Sequence, residues 1–386
     1  MAHGRGGEQA FLFTLGAIFG FMAREIMYFR GALQGGALQW VRSSTASTLE
    51  ASAPVQGKHQ ASLADLDSLP PLTADLKETC RVAEETAVNG QVMVFIGDYN
   101  VFSLPEHKDT LIYQTLASLI KFKVNNILLV ATDPKAYDNG KLWIEYVSDK
   151  GIRLHVLHRD IATPGVLNRR ALREQQSAKK FPVLRDLLMC GVNLLLSDFD
   201  VLFWDNPFTH IVGDADVEGM TDGWDYNTIF GWEIPLDHPT WFPPWEWRVE
   251  FLNSGFFYVR ASGRTVRAMN NTWSMLTKSA IWDQAAYNCQ VRAPLGTPAR
   301  GRLHGEGLRI RVMDVGMFCN SRKFHMIVDP KIAESMYLPA DDATPTTFKW
   351  PTPWNRPVAM HVNYHKHKIK MMAYANRIFA KVSKSR

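Results

Sequence analysis

Residues 193–208 read "NLLLSDFDVLFWDNPF". An apolar run leads into Asp198, Phe199 and Asp200, turns apolar again, and stops at Asn206-Pro207 with Asp205 just ahead of it. A short apolar run bounded by turn residues reads as a buried strand. Ligands of an open parallel sheet sit beyond the carboxyl ends of its strands. Side chains two apart in an extended segment share a side, so Asp198 and Asp200 form a pair of hard oxygen donors suited to Mg²⁺ or Mn²⁺. The plainer alternative makes Asp198 a strand cap, with Asp200 or Asp205 in a turn before Pro207.

The surroundings of this stretch set the fold class. Upstream, "QVMVFIGDYN" (91–100), "NILLVATD" (126–133) and "IRLHVLH" (152–158) are strand candidates. Helical periods lie between them, over 107–123, 141–150 and 173–190, the last containing Pro182. Strand and helix alternating at this pace predict an α/β fold, a Rossmann-like sheet with helices on both faces. Downstream the pattern is mixed. Strands are expected at 251–260, 308–314 and 357–364, and helices at 263–279, 281–290 and 369–381. Residues 223–247 are dense in Trp and Pro, including Trp241, Trp245 and Trp247, and predict no regular element.

The chain of 386 residues is 46% hydrophobic and 21% charged, which makes it globular. A net charge of +5 is too mild to imply a nucleic-acid partner. The four cysteines, Cys80, Cys190, Cys289 and Cys319, have no metal-binding spacing. Their number permits two disulfides that the sequence cannot pair; Cys190, in an apolar helix, reads as a buried thiol. Residues 10–29 are apolar apart from Arg24 and Glu25 and read as a short signal anchor, with a cleaved signal, a presequence or a core helix as alternatives. Residues 35–71, rich in Ser, Thr, Ala, Gly and Gln, read as a stem. The expected organisation is an anchor-bearing segment 1–34, a stem 35–71 and a catalytic domain 72–386. A sequon at Asn270-Asn271-Thr272 is compatible with a secretory lumen.

Four segments taken together, "LLMCGVNLLLSDFDVLFWDNPF", "FLNSGFFYVRAS", "WDQAAYN" and "MHVNY", resemble in order and spacing the plant and algal nucleotide-diphospho-sugar transferases of glycosyltransferase family 77. The resemblance spans residues 91–371. It implies a mixed α/β fold of GT-A type and transfer of a sugar, a pentose or galactose, from a UDP-sugar with Mn²⁺ or Mg²⁺ as cofactor. The acceptor it implies is a cell-wall glycoprotein, hydroxyproline-rich by family alone, or a polysaccharide. It also implies a Golgi membrane protein of type II with the catalytic domain lumenal, and a retaining reaction.

Carried over residue by residue, Asp198 and Asp200 would hold the metal, with His361 completing its shell. Gly97, Asp98, Asp133, Lys180, Asp198, Asn253 and Lys366 would serve the donor, and Asp283 and Gln284 the reacting sugar. Each has a plainer reading. Gly97 can be a turn residue, Asp133 a cap before Pro134, Lys180 a solvated lysine and Asp283 an N-cap. Trp282 would stack on sugar or cover core. Two other classes compete: a HAD-type phosphatase, since Val201 follows the acidic pair as that motif requires, and a non-catalytic glycan-binding relative.

Overall fold

A computed structural model describes residues 73–162, 172–223, 252–278, 281–292, 307–328, 357–363, 365 and 367–384. The expected anchor and stem, Trp241, Trp245, Trp247 and Lys366 lie outside these residues. No helix among them is long and apolar enough to cross a membrane.

The described chain opens on α1 (Ala74–Thr86), capped by the Thr73 side chain, which accepts from Leu76 N at 3.3 Å. Then β1 (Gln91–Gly97), β2 (Ile127–Ala131), β3 (Leu154–His158) and β4 (Asn193–Ser197) alternate with α2 (Leu111–Lys121), α3 (Pro134–Ser148) and α4 (Leu172–Met189). The strands pair in parallel in the order β3-β2-β1-β4. The central strands β2, β1 and β4 are largely apolar because both faces are covered. Val92, Val94, Leu128, Val130, Leu194 and Leu196 face one core with residues of α1 and α4. Met93, Phe95, Ile127, Leu129 and Leu195 face another with residues of α2 and α3. Pro182 stands inside α4 without ending it.

The second half converts the sheet from parallel to mixed. After β5 (Val201–Phe203), β6 (Val217–Thr221) pairs antiparallel with β7 (Leu252–Val259), which itself runs antiparallel to β4. Helices α5 (Gly263–Lys278) and α6 (Asp283–Arg292) add Val266, Met269, Leu276, Ala286 and Tyr287 to the first core. With β8 (Ile310–Val312) parallel to β6, the main sheet has seven strands in the order β3-β2-β1-β4-β7-β6-β8. A small sheet, β5-β10-β9, combines β5 with β9 (Phe318–Asn320) and β10 (Ala359–His361). It packs with α7 (Ser321–Val328) and the closing α8 (Lys368–Lys384) around Trp204, whose ring stacks on Phe379 at 4.7 Å. The expected α/β class, mixed sheet and helices on both faces are present. Helices α1 and α7 and strands β5, β6 and β9 were not expected from the sequence.

Cys190 corrects one expectation. It lies just past α4 and is disulfide-bonded to Cys80 of α1, so it is not a free thiol. Cys289 and Cys319 are the buried free cysteines, and burial pushes their thiols up to about 11 and about 12. The sequon lies within α5, where the buried Thr272 hydroxyl donates to Ala268 O at 2.9 Å.

The disulfide closes a sequence separation of 110 residues, for which restriction of the unfolded chain is worth about 5 kcal/mol. Cys80→Ser should lower the unfolding free energy by about 3–5 kcal/mol in denaturant titration. Reductant should produce the same loss in the native chain and none further in the variant.

Candidate active site

Beyond the carboxyl end of β4 the chain turns through Asp198-Phe199-Asp200 before β5 begins. Phe199 anchors this turn. Its buried ring lies 5.3 Å from that of Phe95 and 5.4 Å, edge to face, from that of Phe102. The Thr115 hydroxyl donates to Phe199 O at 2.6 Å. Gly97 is explained by this packing, because a Cβ there would stand 3.0 Å from both the Phe102 and Phe199 rings. With the phenyl group held in the core, the two carboxylates converge, through a turn rather than an extended strand.

His361, at the end of β10, joins them. Asp198, Asp200 and His361 offer ligand atoms within 4.8 Å of one another. His361 Nε2 lies 3.1 Å from Asp200 Oδ1, and the Lys368 ammonium pairs with Asp200 Oδ2. Two carboxylates and an imidazole are a donor set for a divalent ion, and the nitrogen favours Mn²⁺ over the oxygen-seeking Mg²⁺. His361 Nδ1 is buried with no partner among the described residues. The approach of β7 allows this geometry. Asp198 N donates to Gly255 O at 2.6 Å, and a Cβ on Gly255 would overlap the Asp198 carboxylate and stand 2.8 Å from His361 Cε1.

The charges follow from burial and neighbours. Burial would raise the Asp200 carboxyl, but the charge and hydrogen bonds of His361 and Lys368 outweigh it and hold Asp200 well below the usual carboxylate range. Burial would lower His361, yet attraction to Asp200 raises it. Asp198 is raised, chiefly by burial, with Lys180 opposing.

A second cluster lies alongside. Lys180, on α4 and only 4% exposed, pairs with Asp283 Oδ2 at 2.9 Å and donates to Ser254 Oγ at 3.2 Å. It is not a solvated lysine. Asp283 Oδ2 also accepts from Ser177 Oγ at 2.7 Å and Ser254 Oγ at 3.1 Å. Burial would raise Asp283, but the Lys180 charge and these donors hold it below its usual value. Lys180 is raised although burial would lower it, because Asp283, Asp198 and Asp200 together outweigh desolvation.

A third group was not foreseen. Asp222, just past β6, accepts from Asn253 Nδ2 at 2.6 Å, Asn363 Nδ2 at 2.6 Å and Gln284 Nε2 at 2.7 Å. Burial raises its carboxyl, and the Gln284 and Asn253 amides pull the other way. The predicted residues Asn253 and Gln284 thus meet on an acid that the sequence reading did not select. The lone Asp-Gly at 222–223 carried no motif signal.

Other predicted residues have jobs within the protein. Asp133 caps α3, accepting from Ala136 N at 2.8 Å through Oδ1 and from Tyr99 N at 2.9 Å through Oδ2. Asp98 folds back on Asn100, accepting from its backbone N and side-chain Nδ2 at 3.0 Å each. Trp282 is exposed beside the buried Asp283 and Gln284.

The family described as nucleotide-diphospho-sugar transferase matches residues 123–373. Arabinosyltransferase RRA2 of Arabidopsis thaliana is 30% identical over 299 residues, covering 76% of this chain and 60% of its own length. Arabinosyltransferase RRA1 of the same plant is 30% identical over 300 residues, covering 76% of this chain and 65% of its own. The chain therefore spans less than two thirds of the length of these relatives. A solved mutant of LgtC aligns over 76% of this chain and 95% of its own, with 12% identity and a TM-score of 0.43. Mouse xyloside xylosyltransferase 1 aligns over 71% and 98%, with 12% identity and a TM-score of 0.38.

Two variants test the site's geometry and charge. Gly255→Ala should weaken Mn²⁺ binding at least ~10-fold in calorimetry while far-UV circular dichroism stays native, since the added methyl overlaps a ligand. Asp283→Asn removes the directly paired counter-charge of the buried Lys180 and should cost about 3–5 kcal/mol of unfolding free energy at pH 7. A depressed carboxyl contributes above its unfolded value of about 3.9 and loses that contribution as pH falls through the folded value. The raised Lys180 contributes below about 10.4 and loses it as pH rises. The gap between native and variant should therefore hold between about pH 5 and pH 9 and close on strong acidification.

Proposed function

Because the chain belongs to the nucleotide-diphospho-sugar transferase family, we propose that it transfers a sugar from a UDP-sugar to a glycan-bearing acceptor, using a divalent ion. The observation that carries the reading is the convergence of Asp198, Asp200 and His361 at the carboxyl end of a central strand. The bound ion would neutralise charge developing on the diphosphate leaving group. Mn²⁺ is the preferred ion on the donor set. Family membership also sets this reading above the phosphatase alternative. The names of the Arabidopsis relatives favour arabinose as the sugar, while a cell-wall glycoprotein or polysaccharide acceptor follows the family 77 resemblance.

Within this reading, the chain's own groups divide the work. Asp283 receives its three donors on Oδ2, from Ser177, Lys180 and Ser254. A carboxylate so restrained suits orienting a sugar hydroxyl better than attacking an anomeric carbon. Lys180 keeps that carboxylate ionised and lends positive charge to the donor pocket. Trp282 offers an exposed ring at the mouth beside Asp283, suited to stacking on the acceptor. Retention of configuration follows the family 77 resemblance. A Golgi-lumenal, type II placement is part of the proposal. The Cys80–Cys190 disulfide supports it, since such bonds persist in oxidising compartments.

Titration of the full chain with UDP tests the reading. Binding should appear with Mn²⁺, vanish with EDTA, and fall at least ~10-fold in Asp200→Ala. A folded protein that binds no UDP under any of these conditions would contradict a transferase.

A further inference from the structure

Asp222 accepts hydrogen bonds from three side-chain amides, and those amides come from three separate parts of the chain. Asn253 is the second residue of β7, Gln284 is the second of α6, and Asn363 lies two residues beyond His361. Asp222 Oδ1 takes the NH₂ groups of Asn253 and Asn363, and Oδ2 takes that of Gln284. A carboxylate only accepts, so it decides which way each amide is turned.

The orientation propagates. With its NH₂ on Asp222, Asn253 presents Oδ1 to Gly255 N at 2.7 Å. Gly255 O in turn receives Asp198 N at 2.6 Å. Gln284 likewise presents Oε1 to Ser254 N at 3.2 Å, and the Ser254 hydroxyl reaches Asp283. Asn363 tethers the segment that leaves His361. Its Oδ1 is buried without a partner among the described residues, an acceptor that a hydroxyl of a bound sugar would satisfy. One acid is thereby connected to Asp198, to Asp283 and to the exit of the His361 strand.

We propose that Asp222 is the positioning residue of the donor centre, fixing three amide orientations and through them the placement of Asp198, Asp283 and the Asn363 acceptor oxygen. The proposal deepens the sugar-transfer reading and rests on it for its ligand. Its own content is a hydrogen-bond polarity. Replacing the carboxylate by an amide puts an NH₂ group against at least one of the three NH₂ donors. If Oδ1 is kept as oxygen, the new NH₂ faces Gln284 Nε2, and turning Gln284 over would set its NH₂ against Ser254 N–H.

The complementary change is therefore defined. Asp222→Asn combined with Gln284→Glu moves the carboxylate across the same hydrogen bond. Oδ1 at position 222 still accepts from Asn253 and Asn363, its amide donates to position 284, and Ser254 N keeps an acceptor. The test compares the native full chain, Asp222→Asn and the double variant in two measurements. One is calorimetric titration with Mn²⁺ alone. The other is amide hydrogen exchange over residues 252–259.

Asp222→Asn should bind Mn²⁺ at least ~10-fold more weakly and exchange faster at Ser254 and Gly255, and the double variant should return to within ~3-fold of native in affinity. Native-like Mn²⁺ binding by Asp222→Asn, or a double variant as weak as the single one, would overturn the proposal. In the second case the charge at position 222, rather than amide orientation, would be the requirement. If the native chain binds neither Mn²⁺ nor UDP, the transferase reading falls, and the exchange comparison still decides. Unchanged exchange in Asp222→Asn refutes the positioning role. Should Asp222→Asn fail to fold, recovery of folding and Mn²⁺ binding in the double variant supports the proposal, and its failure to recover either overturns it.

Discussion

Negative charge held away from water is the constraint around which this molecule is arranged. Asp200 and Asp283 are buried, and Asp198 and Asp222 stand in the same crowded centre. An uncompensated buried carboxylate costs several kcal/mol. Each therefore recruits a counter-group from a distant part of the chain. Helix α4 supplies Lys180, α8 supplies Lys368, β10 supplies His361, and the amides of β7, α6 and the β10 exit close on Asp222. The candidate site is thus a place where elements from both halves of the chain must meet.

The same centre is tied mechanically to the hydrophobic core. Phe199 has an acid on either side, and its ring is gripped by Phe95 and Phe102. Aromatic pairs of this kind contribute about 0.5–1.5 kcal/mol beyond their buried area. Burying that ring leaves both carboxylates converging on His361 and crowds any Cβ at Gly97 to 3.0 Å from the Phe102 and Phe199 rings. On the opposite side, β7 comes so close that Gly255 cannot carry a Cβ. A large residue between the acids and a missing one beside them define the space in which an ion would sit.

Much of the fold was legible because local patterns were strong. Strands β1, β2 and β4 are nearly continuous apolar runs, and the helices between them have clear periods. Strands β5 and β9, of three residues each, are too short to show a pattern. Strand β6, "VEGMT", was missed because it carries Glu218 and Gly219 in a fully buried strand. The burial of Glu218 depends on the backbone N–H groups of Val212 and Gly213, which a one-dimensional pattern does not display. Helix α1 lies inside the expected domain, but its polar sequence was assigned no element, so nothing placed Cys80 beside Cys190.

By itself the sequence determined the alternation of strand and helix, the acid pair at a strand end, and the four segments that resemble family 77. These are local or ordered along the chain, and local physics is sufficient for them. Tertiary structure decided which polar groups face one another. It joined Lys180 to Asp283, placed Lys368 on Asp200 and gathered three amides on Asp222. Those pairings join residues up to 168 positions apart. They exist because buried charge must be answered by whatever donor the packing brings within hydrogen-bond reach, and no window of sequence contains both partners.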